Sequence, residues 1–198
     1  MELKDAIAAR RAYRSLEAVE IGEAAVRSLI EEVRLAPSCN NNQPWRFIFA
    51  YSPAALEALK KALNKGNSWA QAASMIVAVA SRKDLDCDIH EKDYQEREYY
   101  LFDTGMAAAY LILRITERGL VAHPIAGFNE KMAKEAIGMG DDMKLITLVI
   151  VGARSGTVSP VLSDGQKKSE ASRPARKGFE EIAFLNGFAP PGALPGIP

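Results

Sequence analysis

The chain has 198 residues, with 25 Lys+Arg against 25 Asp+Glu, so its formal net charge is zero, and 48% of it is hydrophobic. That balance suits one globular domain able to bury its own core, and it excludes a basic nucleic-acid binder and a disordered chain. The two cysteines, Cys39 and Cys87, cannot build a disulfide framework, which points to a reducing, cytoplasmic setting.

The N-terminal segment MELKDAIAARRAYRS scatters charges among its apolar residues and lacks the unbroken apolar stretch of a signal peptide. Leu3 and Ile7, one turn apart, predict a short helix over 3–12. Arg10, Arg11 and Arg14 follow at its C-terminal end, where the helix dipole favours cations, and Arg10 and Arg14 would share a face. Val26, Leu29, Ile30 and Val33 predict a second helix over 23–35, ended by Pro37. The run WRFIFAY at 45–51 reads as a strand. Ser52 then caps a third helix, with Pro53 in its first turn, Leu56, Leu59 and Leu63 on its apolar face, and Gly66 as its end. MIVAVA at 75–80 reads as a buried strand. A long helix is predicted over 95–118, with Phe102, Met106, Tyr110 and Leu113 as its core-facing stripe and Gly119 as its stop. The longest apolar run, Met106 to Leu113, ends at Arg114 and falls far short of the roughly 18 residues of a membrane span. A short helix over 131–137 closes at Gly138, and KLITLVIV at 144–151 is a strand. Helices and strands mix without a strict βαβ repeat, which predicts an α+β fold.

Residues 153–198 differ in kind, because they hold six of the 10 prolines and six of the 14 glycines. Such a segment cannot make its own core. The organisation expected is a body over 1–152 and an extended arm of the same domain over 153–198. Phe179 to Phe184 is the arm's strand-like stretch.

Three constellations could carry chemistry. In PSCNNNQPWRF, from Pro37 to Phe47, two prolines bracket small hydroxyl, thiol and amide side chains. Each amide offers both a donor and an acceptor, which suits the edge of a planar heterocycle as well as it suits an ordinary polar turn. Arg10, Arg11 and Arg14 can fork phosphate oxygens bidentately or simply face solvent. In VAHPIAGF, from Val121 to Phe128, Gly127 permits close approach of a ligand to the backbone.

Taken in order, R-R-x-x-R near the start, A-P-S-x-x-N-x-Q-P-W after the second helix, P-I-x-G-F in the second half and a late R-x-x-R-K resemble the nitroreductase family over about residues 2–185. The resemblance implies a sandwich with a mainly antiparallel central sheet flanked by helices, and a homodimer that exchanges its C-terminal arms. It implies FMN as cofactor, NADH or NADPH as reductant, and a small acceptor such as a nitroaromatic or quinone. Arg10 and Arg11 would face the FMN phosphate and ribityl chain. Arg14 would lie near the flavin pyrimidine, where positive charge favours the reduced form. Pro37, Ser38, Cys39 and Asn41 match a loop that the family supplies from the partner subunit. Asn67 matches a further flavin contact. Ala126 and Gly127 would offer backbone N–H groups near the N5 edge, with Pro124 also among the cofactor-binding residues. Arg176, with Arg173 or Lys177 beside it, would close on the phosphate. Two positions depart from the usual pattern: Ala12 stands where many members carry Ser, and Ala126 where several carry Glu.

Other chemistries fit less well. Gly138 and Gly140 are followed by Met143 where a dinucleotide fingerprint needs its third glycine. A Cys–His hydrolase would need Cys39 beside His90 or His123. Asp84, Asp86, Cys87, Asp88 and His90 offer metal-ligand types within a run of mixed charge, without a His/Cys quartet. A flavin store or sensor without turnover would show the same cofactor contacts, and a flavin-degrading or dehalogenating relative would share the fold.

Overall fold

A computed structural model describes residues 1–87 and 97–188. Its frame is a five-stranded antiparallel sheet built on the longest strand, β5 (Lys144–Arg154), which pairs with β1 (Leu16–Glu17), β3 (Met75–Ser81) and β4 (Val121–Ile125), while β2 (Arg46–Ala50) pairs with β3. All seven residues of β3 are buried, because helices cover both faces of the sheet. Side chains alternate across a strand, so Ile76, Ala78 and Ala80 enter one core and Val77 and Val79 the other. The first core is closed by α3 (Pro53–Lys60), by α5 (Glu130–Ala136) and by a 3-10 turn over Lys65–Ala72 that inserts Trp69. The second is closed by α2 (Glu23–Val33) and α4 (Tyr99–Glu117), through Leu29, Val33, Leu111 and Ile115. The α+β sandwich predicted from the sequence is the fold observed.

Local differences have local reasons. The first helix, α1, spans Leu3–Ala9 and stops short of residue 12, because Arg10 turns out of helical geometry at φ −56 and ψ 116. Arg10, Arg11 and Arg14 therefore lie on an extended segment leading into β1, and Arg10 and Arg14 share no helical face. α3 stops at Lys60 rather than Gly66, since Leu63 is drawn into a bridge with Phe128. Val121–Ile125, which reads only as a strand-like step, is a full strand.

The predicted stripe of α4 is on the wrong side. Tyr100, Asp103, Thr104, Ala107, Leu111 and Ile115 are the buried positions, whereas Phe102 is 57% exposed and Tyr110 43%. The sheet takes the smaller, aliphatic side, and the aromatic side is left facing outward. Residues 95 and 96 of the predicted helix lie outside the described residues.

Beyond β5 the chain folds back on its own start. A helix, α6 (Asp164–Ala171), is opened by a capping box in which Ser163 and Gln166 satisfy each other's backbone N–H groups. Phe179–Ile182 forms a short helix, α7, and not a strand: Glu180 and Glu181 suit a first turn, and Glu181 accepts the Gly178 N–H at 2.9 Å. Arg173 and Arg176 already meet Arg10 within one chain, so their convergence requires no exchange between subunits. Among the described residues no helix is long and apolar enough to cross a membrane.

Candidate functional site

The segment 10–15 leaves α1 extended, and the end of α6 fixes it there. The Glu170 carboxylate accepts the backbone N–H groups of Arg14 and Ser15 at 2.7 and 2.8 Å and the Ser15 hydroxyl at 2.5 Å. The Arg11 guanidinium donates to the carbonyls of Ser169 and Glu170 at 3.2 and 2.9 Å, capping the C-terminus of α6. Arg14 donates to the Ser169 hydroxyl at 3.1 Å. Arg173 reaches back to the carbonyls of Ala8 and Arg10.

These contacts border a half-open cavity of about 210 Å³ lined by Arg10, Arg11, Ala12, Arg14, Ser169, Arg173, Pro174 and Arg176. Five of the eight are arginines. Burial, and after it the cations of Arg173, Arg176 and Arg11, lower the Arg10 pKa from its ordinary value. The cavity is thus a concentration of positive charge that an anion would relieve. Its size lies below the roughly 300 Å³ at which pockets for whole small ligands begin. The recess is open on one side, and its arginines face that opening.

A second set of contacts adjoins the first. Gln166 of α6 donates to the Gly66 carbonyl at 2.9 Å, which brings the 65–72 turn beside the arginine segment. There Asn67 donates to the Gly127 carbonyl at 2.8 Å and accepts the Trp69 indole N–H at 3.2 Å. A Cβ on Gly127 would stand 2.5 Å from the Asn67 amide nitrogen, so a side chain there would push the Asn67 amide out of this hydrogen bond. Pro124 lies opposite Val149 within β4 and is exposed, Ile125 ends the strand, and Ala126 is exposed just beyond it.

His123, from the same strand, stacks on Trp69 with ring centroids 4.6 Å apart and its Nδ1–H donates to the Tyr13 carbonyl at 3.1 Å. The Tyr13 ring in turn lies under two guanidinium groups, Arg11 at 4.8 Å and Arg154 at 4.1 Å. Burial pulls the His123 pKa from 6.5 down to about 4, against the opposing hydrogen bond to Tyr13. A depressed folded value means that the unfolded chain takes the proton first as pH falls. Stability should therefore be full above pH 6.5 and decline toward pH 4. His123→Gln should flatten that window when urea midpoints are compared across pH, and an unchanged slope would remove His123 as its source.

Pro37, Ser38, Cys39 and Asn41 form a separate group, away from the arginine cavity. Their loop is bound to α4, where Asp103 accepts the Cys39 N–H at 2.9 Å, and Ser38 accepts the Gln43 N–H at 3.0 Å. Asn40, Asn41 and Gln43 adopt positive φ of 50, 58 and 48. Asparagine tolerates that region and glutamine less so, so the asparagine run is explained by backbone geometry as much as by any ligand. Cys39 does not meet His123, and His90 and Asp88 lie outside the described residues.

Sequence reasoning missed Glu170, Ser169, Ser15, Tyr13 and Pro174. The Ser163–Gln166 capping-box pair marks where α6 begins, but nothing in the sequence shows that Glu170 at its far end meets two backbone amides.

The sequence profile of the Nitroreductase family matches residues 7–70 and 60–153. The chain is 30% identical over 146 residues to a Stutzerimonas stutzeri protein named among the NADH dehydrogenase/NAD(P)H nitroreductases, covering 67% of this chain and 74% of that one. A nitroreductase family protein from Clostridium novyi superposes with a TM-score of 0.68 at 26% identity, covering 79% of this chain and 87% of the other. A nitroreductase from Exiguobacterium sibiricum, solved in complex with FMN, superposes with a TM-score of 0.73 at 21% identity, covering 93% and 97%.

Proposed function

The chain belongs to the nitroreductase family, and from that premise we propose that it is an FMN-dependent oxidoreductase, taking reducing equivalents from NADH or NADPH and passing them to a nitroaromatic, quinone or similar small acceptor. The observation that carries this reading is the convergence of Arg10, Arg11, Arg14, Arg173 and Arg176, from the two ends of the chain, on one anion-sized cavity. The naming of relatives for NAD(P)H and the FMN complex of a protein of the same fold support it.

When bound, FMN supplies hydride acceptance and return at its flavin N5. Arg10, Arg173 and Arg176 would hold its phosphate. Arg11 and Ala12 would border the ribityl chain, with Arg11 also fixing the helix end behind it. Arg14 would set positive charge near the pyrimidine, where it favours the reduced state. Ala126 and Gly127 would bring backbone N–H groups to the N5 edge, Pro124 would border it without a donor, and Asn67 would keep that turn in place. Without a side chain beyond methyl at Ala126, the acceptor's access on that side is left open.

The loop of Pro37, Ser38, Cys39 and Asn41 completes the site from a second copy in this reading. One observation supports a homodimer: Phe102, Tyr110, Leu3, Ile7 and Leu35 are large apolar side chains left exposed on one chain. The arm beyond β5 belongs to the same domain, with its residues past Arg176 available to cross to the partner.

Purified protein should be yellow, or should take up added FMN with a rise in Tm of several degrees, and should oxidise NADH or NADPH when a quinone or nitroaromatic is supplied. Failure to bind FMN would remove the reading altogether. A flavin-loaded protein that stays oxidised under excess NADH and NADPH would make it a flavin carrier and not an enzyme.

A further inference from the structure

We propose that Cys39 and Cys87 are a modification site: under hydrogen peroxide they join in a reversible disulfide that latches the 37–43 loop to the segment following β3.

They are the chain's two cysteines, far apart in sequence and neighbours in the fold. The loop holding Cys39 is tied to the residue before Cys87, because the Asn42 side-chain amide donates to the Asp86 carbonyl at 2.8 Å. Cys39 is fixed from the other side by Asp103 of α4, which accepts its N–H at 2.9 Å. Asp86 in turn accepts the Cys87 N–H at 2.8 Å through its own side chain. Both cysteines are half-buried, which leaves access for an oxidant as small as a peroxide. The loop between these anchors turns through left-handed backbone at Asn40, Asn41 and Gln43, so a covalent anchor would act on a tightly turned segment.

Their roles in the reaction differ. Burial, then the adjacent Cys39 thiol, pushes the Cys87 thiol up to about 12, so it stays protonated and the first attack falls to Cys39. The Cys39 sulfur, as thiolate, attacks one peroxide oxygen; the S–O bond forms, the O–O bond breaks, and the departing hydroxide becomes water. The Cys87 sulfur then attacks that sulfenic sulfur, its proton leaving with the hydroxyl as a second water. Two thiols and one hydrogen peroxide thus give one disulfide and two waters. A cytoplasmic dithiol would reverse it by exchange. The bond itself stands on the thiol pair; its control over the loop that faces FMN rests on the function proposed above.

The test uses the full-length protein, with and without FMN, freed of reductant and treated with equimolar hydrogen peroxide. Unreduced peptide mapping should give one Cys39–Cys87 linked pair, an intact mass lighter by two hydrogens, and complete recovery with dithiothreitol. Cys87→Ser should stop Cys39 at the sulfenic acid, captured by dimedone, whereas the unaltered chain should yield no such adduct. Sulfinic or sulfonic acid on separate cysteines, a disulfide between two chains, or two thiols still free after treatment would each overturn the proposal. Because the readout is mass, a chain that binds no FMN leaves this test intact, and the unaltered protein decides it even if the serine variant fails to fold.

Discussion

Replacing Glu170 with alanine should destabilise the chain by about 3–5 kcal/mol, the range expected when a buried, hydrogen-bonded charge is removed and its partners are left behind. Glu170 is 8% exposed and Ser15 3%, so water does not readily replace what is lost. Three donors lose their acceptor at once: the Arg14 and Ser15 N–H groups and the Ser15 hydroxyl. The same hydroxyl accepts the Ser159 N–H at 2.9 Å, so the damage spreads into the connection between β5 and α6. Burial alone would raise the Glu170 pKa, yet the hydrogen bonds from Ser15 and Arg14 outweigh it and the net shift is downward from 4.5. The carboxylate therefore contributes fully above pH 4.5 and its contribution fades as pH falls through the lower folded value. Urea unfolding should show a lower midpoint with an unchanged slope. Glu170→Gln keeps an acceptor for the two backbone donors and should lose about half as much. An alanine variant within about 1 kcal/mol of the unaltered chain would show that the carboxylate does not hold this corner together.

The parts of the fold that the sequence made legible are those where one period dominates. β3 and the middle of β5 are largely apolar runs rich in Ile and Val, and a strand buried on both faces has that appearance. α3 begins where Ser52 and Pro53 say it should, with the Ser52 hydroxyl accepting the Ala55 N–H. α4 shows where such reasoning fails. It has apolar residues on two sides, Leu111 and Ile115 on one and Phe102 and Tyr110 on the other, and the hydrophobic period says that both want cover without saying which is covered by the sheet. Aromatic weight favoured the side that one chain leaves exposed. The end of α1 failed for a different reason. Arg10 is a good helix former, and it leaves the helix because Glu170 and Ser169, some 160 positions later, hold the next residues extended.

The candidate site divides along the same line. Arg10, Arg11, Arg14, Arg173 and Arg176 could be picked out because they stand in short motifs, and they do line one cavity. The groups behind them could not. Glu170 looks like any solvated helix glutamate in KKSEAS, and only the fold reveals that it faces two backbone amides. His123 and Trp69 are likewise unremarkable in sequence, while their stacking places the Asn67–Gly127 turn against Tyr13 and the arginine segment.

Arg176→Ala should raise the Kd for FMN about 10- to 100-fold while leaving the Kd for riboflavin, which lacks the phosphate, unchanged. The loss corresponds to about 1.5–3 kcal/mol, the value of a hydrogen bond to a charged group. The sign for the flavin-free protein should be opposite or null. Arg10 is already crowded by Arg173, Arg176 and Arg11, and removing one of these cations relieves repulsion, so the free chain should unfold at the same urea concentration or a slightly higher one. A site that is crowded with cations when empty and satisfied when filled is preorganised for an anion to the extent that Arg11, Arg14 and Arg173 are held by hydrogen bonds before it arrives. Arg173 serves the loop as well, through the Ala8 and Arg10 carbonyls, and Arg173→Ala should therefore lower both FMN affinity and free-chain stability. Arg10→Glu goes furthest: it sets a carboxylate against the phosphate and should abolish FMN retention on gel filtration. Equal losses for FMN and riboflavin in the Arg176 variant would place that residue at the flavin ring or outside the site, and the arginine cavity would no longer be the phosphate's.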